Sequence, residues 1–428
     1  MSSVSASQVF AVAAARDAAR AALLRAFLAS GLFFMIGPGT LLGVLNLLQI
    51  SGRESAGLIA PAWLQAHGHA QVFGWIGSFM LGIGIYSVPS VTLRPHSLGI
   101  GWTTWSLWTG GVTLRWAATA YGWHWRALLP FSAACELTAF ALFLYVASAH
   151  RPHVPRPGAA PGARAWLSIV MFGTAAWVAA LVVNLAVTTS LALHGETPAV
   201  AHLFNQHLLA LLTWGILAPF IWGFSVRWLP VLLGLAPLRM PALIAAVVVN
   251  AIGVLIAFAG HDGVAAVLAA LAAVLAIVGL RLFERPAGEA KTRCVHVRFP
   301  LFVRLAYVWL VVAAGLGVAA TRWDMAGGFW GASRHAFTVG FAAAMVLAVG
   351  QRMLPGFAAH RPLWSPRLMG IGLTLLMTGC LLRVSSEVIA YEQFAEWAWP
   401  ILPVSALIEL TALTTFAANL YGTLWVKA

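Results

Sequence analysis

Runs of about 20 apolar residues, the length that crosses a hydrocarbon core, recur along this chain. They lie at about 21–49, 64–92, 98–120, 127–148, 166–193, 204–232, 241–260, 263–283, 300–321, 334–355, 367–390 and 399–424. Lipid offers an open backbone no hydrogen-bond partner, so segments of this kind must be helices that satisfy their own peptide groups. Only 9% of the residues are charged, where a soluble domain carries roughly 25%, and a water-soluble fold is excluded. The spans leave no room for a soluble domain. The expected fold is an all-α polytopic membrane protein of about 12 transmembrane helices, a single domain over 1–428 whose first partner is the lipid bilayer.

Charge placement orients the spans, because Lys and Arg concentrate in cytoplasmic loops. With the N-terminus inside, 19 of the 25 cations fall in inner segments. These include Arg16, Arg20 and Arg25, then Arg94, then Arg151, Arg156 and Arg164, the run from Arg281 to Arg304, and Lys427. Arg53, Arg115, Arg126, Arg322, Arg334 and Arg383 fall outside. Both termini are therefore expected to be cytoplasmic. The formal charge of +13 is spread over loop after loop, so insertion accounts for it and no nucleic-acid partner is expected. Cys135, Cys294 and Cys380 form no C-x-x-C pattern, and neither a disulfide framework nor covalent c-type heme is indicated.

The chain repeats itself. Leu129-Pro130-Phe131-Ser132-Ala133-Ala134-Cys135-Glu136-Leu137-Thr138-Ala139 returns as Leu402-Pro403-Val404-Ser405-Ala406-Leu407-Ile408-Glu409-Leu410-Thr411-Ala412. The preceding spans share T-G-G-V-T-L-R ending at Arg115 and T-G-C-L-L-R ending at Arg383. Spans two and ten each open on a histidine, from His69 to Trp75 and from His335 to Phe341. Such self-similarity predicts three four-helix arcs, 21–148, 166–283 and 300–424, with the middle one degenerate.

Spans two, six and ten start at the outer face, which puts His67, His69, His207 and His335 at similar depth. If the arcs pack about a pseudo-threefold axis, these rings converge. Polar side chains inside a bilayer are costly and mark function by default. Imidazole suits iron and copper and is the usual proximal ligand of heme, so metal ligation is the expectation for all four. Residues two apart on a helix are separated by about 200°, so His67 and His69 either serve different sites or His67 folds back from the loop. Glu136 and Glu409 read either as proton-handling groups or cofactor hydrogen-bond partners, or as protonated carboxyls bonded to a neighbouring helix. Arg115 and Arg383 read either as partners of heme propionates, which guanidinium binds bidentately, or as snorkelling interfacial residues.

The stretches His67 to Gly74, Trp222 to Pro230 and Arg334 to Phe341 resemble those of the NnrS family. That family comprises bacterial inner-membrane proteins linked to the nitric oxide response and reported to contain heme and copper. The resemblance covers nearly the whole chain. It implies non-covalent heme, copper, a gaseous ligand such as nitric oxide, an electron donor that the sequence does not identify, and a role in relieving nitrosative stress. Twelve helices with histidines on the second, sixth and tenth also resemble subunit I of heme-copper oxidases and nitric oxide reductases. The chain departs from that pattern: span seven, from Pro241 to Gly260, has no histidine, and His335 has no partner two residues on. Complete oxidase chemistry is therefore not expected. A proton-coupled secondary transporter, with Glu136 and Glu409 as coupling residues, is the competing expectation.

Overall fold

The computed structural model describes residues 6–55, 57, 59–88, 95–149, 165–359 and 361–426, and among them there is helix and no strand. Arg94, Arg151, Arg156, Arg164 and Lys427 of the charge count lie outside the described residues. Twelve long helices follow one another. They are α1 (Ala14–Arg53), α2 (61–86), α3 (Pro95–Ala120), α4 (Trp125–Ala149), α5 (Ala165–His194) and α6 (His202–Leu233), then α7 (Met240–Phe258), α8 (Asp262–Leu280), α9 (Phe299–Trp323), α10 (Gly328–Phe357), α11 (Pro366–Tyr391) and α12 (Glu396–Leu424). Ten are long and apolar enough to cross a membrane; α2 and α3 are the other two. Those two carry Gln65, His67, His69 and Gln71 on one and a run of Trp, Thr and Gly on the other. The chain is an all-α, multi-pass membrane protein.

Apolar surface is distributed as lipid requires. Ile244, Val248, Ile252 and Leu255 on α7 are exposed, as are Val264, Val267, Leu271, Val274 and Val278 on α8. The three- and four-residue spacing makes each set one helix face. In water such a stripe would demand a partner, whereas in a bilayer lipid tails cover it. The opposite face of α8 is small: Ala269, Ala272, Ala273, Ala276 and Gly279 are buried. A Cβ on Gly279 would stand 2.6 Å from Leu243 Cγ and 3.0 Å from its backbone nitrogen. Small residues let membrane helices approach closely enough for dispersion to hold them, since lipid supplies no hydrophobic drive between helices.

The most extensive packing joins α3 to α4, α7 to α8 and α11 to α12. α1 packs on α2, α5 on α6 and α9 on α10, and α12 returns to pack on the second half of α1. One end of the bundle gathers the starts of α2, α6 and α10. There Gln65 Nε2 donates to the Val200 carbonyl and the Val200 N–H donates back to Gln65 Oε1, both at 2.8 Å, tying the start of α2 to the approach to α6. The Trp63 indole donates to the Ala120 carbonyl at the end of α3 at 2.7 Å.

Four helices contain a widened π turn, the geometry left by one extra residue in an α-helix and frequent at functional sites. It lies at Ala70–Gly77 in α2, Leu211–Leu217 in α6 and Ala336–Ala343 in α10, in two cases directly after a histidine. The fourth, Met35–Leu41 in α1, contains Pro38, which has no N–H to give and so releases a carbonyl one turn back.

Gly279→Leu is expected to lower stability by about 1–3 kcal/mol through overpacking, while Val274→Leu on the lipid face changes it by less than about 0.5 kcal/mol; melting of both variants in detergent checks the contrast.

Candidate functional site

The wide turn in α1 sets the position of His67. Carbonyl oxygens released there are taken up by side chains of neighbouring helices, as lipid-buried backbone demands. The Thr40 hydroxyl donates to the Met35 carbonyl at 2.7 Å and receives Gln71 Nε2 at 2.9 Å. The Trp116 indole donates to the Pro38 carbonyl at 3.2 Å. His67 Nδ1 lies 2.9 Å from the Gly39 carbonyl. A carbonyl only accepts, so this contact places the proton on Nδ1 and leaves Nε2 bare. The ring lies against Gly43, where a Cβ would stand 2.8 Å from Cε1. Glycine at that position is what admits the imidazole.

His335 is held in the same tautomer by stronger partners. Its Nδ1 sits 2.9 Å from Glu387 Oε2 and 3.0 Å from the Gly331 carbonyl. Arg383, one turn before Glu387 on α11, donates from Nη2 to Oε1 of that carboxylate at 3.3 Å. Glu387 is 2% exposed and Arg383 5%, so each neutralises a charge the bilayer would otherwise penalise. A Cβ on Gly331 would overlap the Glu387 carboxylate. His67 interacts electrostatically with both His335 and Arg383, which brings α2, α10 and α11 to one place. Neither bare Nε2 has a hydrogen-bond partner among the described residues.

His69 and His207 look elsewhere. His67 belongs to the helix and does not fold back from a loop; with His69 two residues on, the rings diverge as a continuous helix requires. His69 Nε2 bonds Glu136 Oε1 on α4 at 2.8 Å, and its ring stacks on Phe73 at 4.4 Å. Arg115 interacts with Glu136 through space and donates to Asn184 Oδ1 on α5 at 3.1 Å. His207 Nε2 lies 3.8 Å from Asp262 Oδ1, beyond hydrogen-bond range, and is buried without a partner. Among the described residues the four histidines form no single cluster: His67 and His335 interact through space, and His69 and His207 each face a carboxylate near the same bundle end. Among the described residues no three side chains of His, Cys, Asp or Glu come together as a metal centre.

The repeated motifs have a packing meaning. A Cβ on Gly111 would stand 3.0 Å from both Glu136 Cγ and the Ser132 carbonyl; on Gly379 it would stand 2.7 Å from Glu409 Cγ and 3.2 Å from the Ser405 carbonyl. Each glycine seats the stem of the carboxylate on the next helix. The copies then diverge, because the residue one turn after Arg115 is Thr119 while that after Arg383 is Glu387. Glu387 takes the histidine of its copy, and Glu409 keeps a buried Oε1 with no partner; Glu136 likewise keeps Oε2. Glu387 was legible as an acid in an apolar span beside Arg383, and Gly37-Pro38-Gly39 as a helix breaker in the first span. Asn46, Asn184 and Asp262 gave no such signal.

These features define a multi-pass helical membrane protein with ionisable groups collected near one end of the bundle. Its fold has a counterpart among solved structures. The chain is similar to a heme-copper terminal oxidase determined as a dimer by cryo-electron microscopy, with a TM-score of 0.69 over 95% of this chain and 84% of that one, at 12% sequence identity. At that identity the likeness is one of fold. No protein-family model and no curated protein sequence matches the chain.

Glu387→Ala is expected to cost about 3–5 kcal/mol, the usual penalty for stranding one partner of a buried pair, and Glu387→Gln distinctly less because the amide still accepts from His335. Detergent melting of the two variants measures the difference.

Proposed function

We propose that this chain is a heme-binding membrane protein of the nitric oxide response, of the NnrS type, in which His67 and His335 would hold the heme iron. The observation that carries the reading is the pair of imidazoles on α2 and α10 with anchored Nδ1 and bare Nε2. Metal-ligating histidines are held in this way, their second nitrogen donating to a carbonyl or carboxylate that fixes the tautomer and raises basicity. A cationic group accompanies them: Arg383 bonds Glu387 and Tyr391 and keeps a buried Nη1 without a partner, and guanidinium pairs well with a carboxylate such as a propionate. The residues present therefore fit heme.

Bound between these helices, heme would supply one-electron redox chemistry and an affinity for nitric oxide. The chain's own residues orient and tune it. Glu387 fixes the His335 ring, the Gly39 carbonyl fixes that of His67, and Arg383 balances negative charge. Glu409 interacts through space with Arg383 and Glu387, and Arg115 with Glu136, as charge partners within their own arcs. Copper fits less well, because His207 and Asp262 offer two ligands at most and His69 Nε2 is taken by Glu136. The 19 to 6 split of cations supports a bacterial inner-membrane location with both termini cytoplasmic and the histidines on the periplasmic side. The order of helix packing supports three arcs about a pseudo-threefold axis.

One observation favours a second reading. Glu136 and Glu409 each keep a buried, unpartnered carboxylate oxygen, which would suit a proton-coupled transporter.

Protein made with heme and copper in excess separates the two readings. A Soret band with a low-spin reduced-minus-oxidised spectrum is expected in the wild type, lost in His67→Ala and in His335→Ala and kept in His69→Ala and His207→Ala. Wild-type protein with no heme at all would leave the transporter reading standing.

A further inference from the structure

Among the described residues Asn46 is a buried polar side chain with both its polar atoms unpartnered. It lies on α1, is 2% exposed, and neither its Oδ1 nor its Nδ2 has a hydrogen-bond partner. A buried amide in that state forfeits several hydrogen bonds and demands an explanation. Its place on the helix supplies one. Gly43 and Asn46 fall at i and i+3 in the regular helix that follows the wide turn, one face of α1, and His67 lies against Gly43 with its Nδ1 at the Gly39 carbonyl. The imidazole runs along this face with Nδ1 at Gly39 and Cε1 at Gly43. Asn46 is the next residue beyond.

Depth agrees. Asn46 stands seven residues before the end of α1 at Arg53, and Arg383 eight before the end of α11 at Tyr391. His335 is seven residues from the start of α10 at Gly328. At about 1.5 Å per residue all three lie roughly 10–12 Å in from the same bundle end. That end of α1 also packs against α11 and α12, where Val44, Leu47 and Ile50 join Tyr391, Trp399 and Leu402 in one apolar cluster.

We propose that Asn46 is a binding residue for a carboxyl group of the prosthetic group, acting beside Arg383; the inference rests on the heme reading given above. A carboxyl matches a carboxamide on both edges. One oxygen accepts from Nδ2, and the other, when protonated, donates to Oδ1. Arg383 Nη1 supplies the charged donor, and Asn46 supplies the neutral one that favours a particular propionate orientation.

The test is reconstitution of the heme-free full chain in detergent with heme or heme dimethyl ester, following the Soret band, for wild type and Asn46→Leu. Leu is close to Asn in size and makes no hydrogen bond. Asn46→Leu is expected to bind heme about tenfold more weakly, the worth of roughly one hydrogen bond. The loss of affinity on esterification should shrink by the same factor, while the heme-free variant melts no lower than the heme-free wild type. Equal heme affinity and an unchanged ester penalty in Asn46→Leu would overturn the role of Asn46 and leave the heme reading intact. Failure of the wild type to take up heme would overturn both.

Discussion

A peptide carbonyl released inside a bilayer has to be bonded by another part of the protein, and this constraint organises the centre of the molecule. Pro38 opens a turn in α1, and three carbonyls around it are answered from α2 and α3 by His67, Gln71 and Trp116, with Thr40 assisting from the same helix. The histidine thus does structural work through Nδ1, and that work presents Nε2. A helix defect, its repair and the orientation of the His67 ring are one event.

The buried carboxyls obey the companion rule that a polar group in lipid needs a partner. His69 with Glu136, and His335 with Glu387 and Arg383, are buried sets of this type. The two copies of the repeat keep the glycine, arginine and carboxylate positions yet connect them differently, because α11 has an acid at 387 where α3 has Thr119. Glu136 and Glu409 each keep one buried oxygen without a partner. The two motifs differ in hydrogen-bond partner on a similar packing frame, with Gly111 and Gly379 seating equivalent side chains.

The fold shared with a heme-copper terminal oxidase at 12% identity fits that division. Helix length, apolar faces and small residues at contacts are met by many sequences, so architecture tolerates near-complete replacement of side chains. The few polar residues at one end of the bundle carry this chain's own pattern: α7 has no histidine, and the ring on α6 lies 3.8 Å from Asp262.

Helical state, the apolar spans and the positions of His67, His69, His207 and His335 along their helices were determined by the sequence alone. Each depends only on distance along a helix and on the bilayer's refusal of unpaired polar groups. The direction in which each ring points was decided by tertiary structure. Azimuth accumulates about 100° per residue, and the π turns beside His69 and His335 shift it by an amount that no periodicity records. Hence the four histidines have different partners: His67 bonds a carbonyl, His335 and His69 bond carboxylates, and His207 lies near one. Asn46, Asn184 and Asp262 acquired meaning only once their neighbours on other helices were in place.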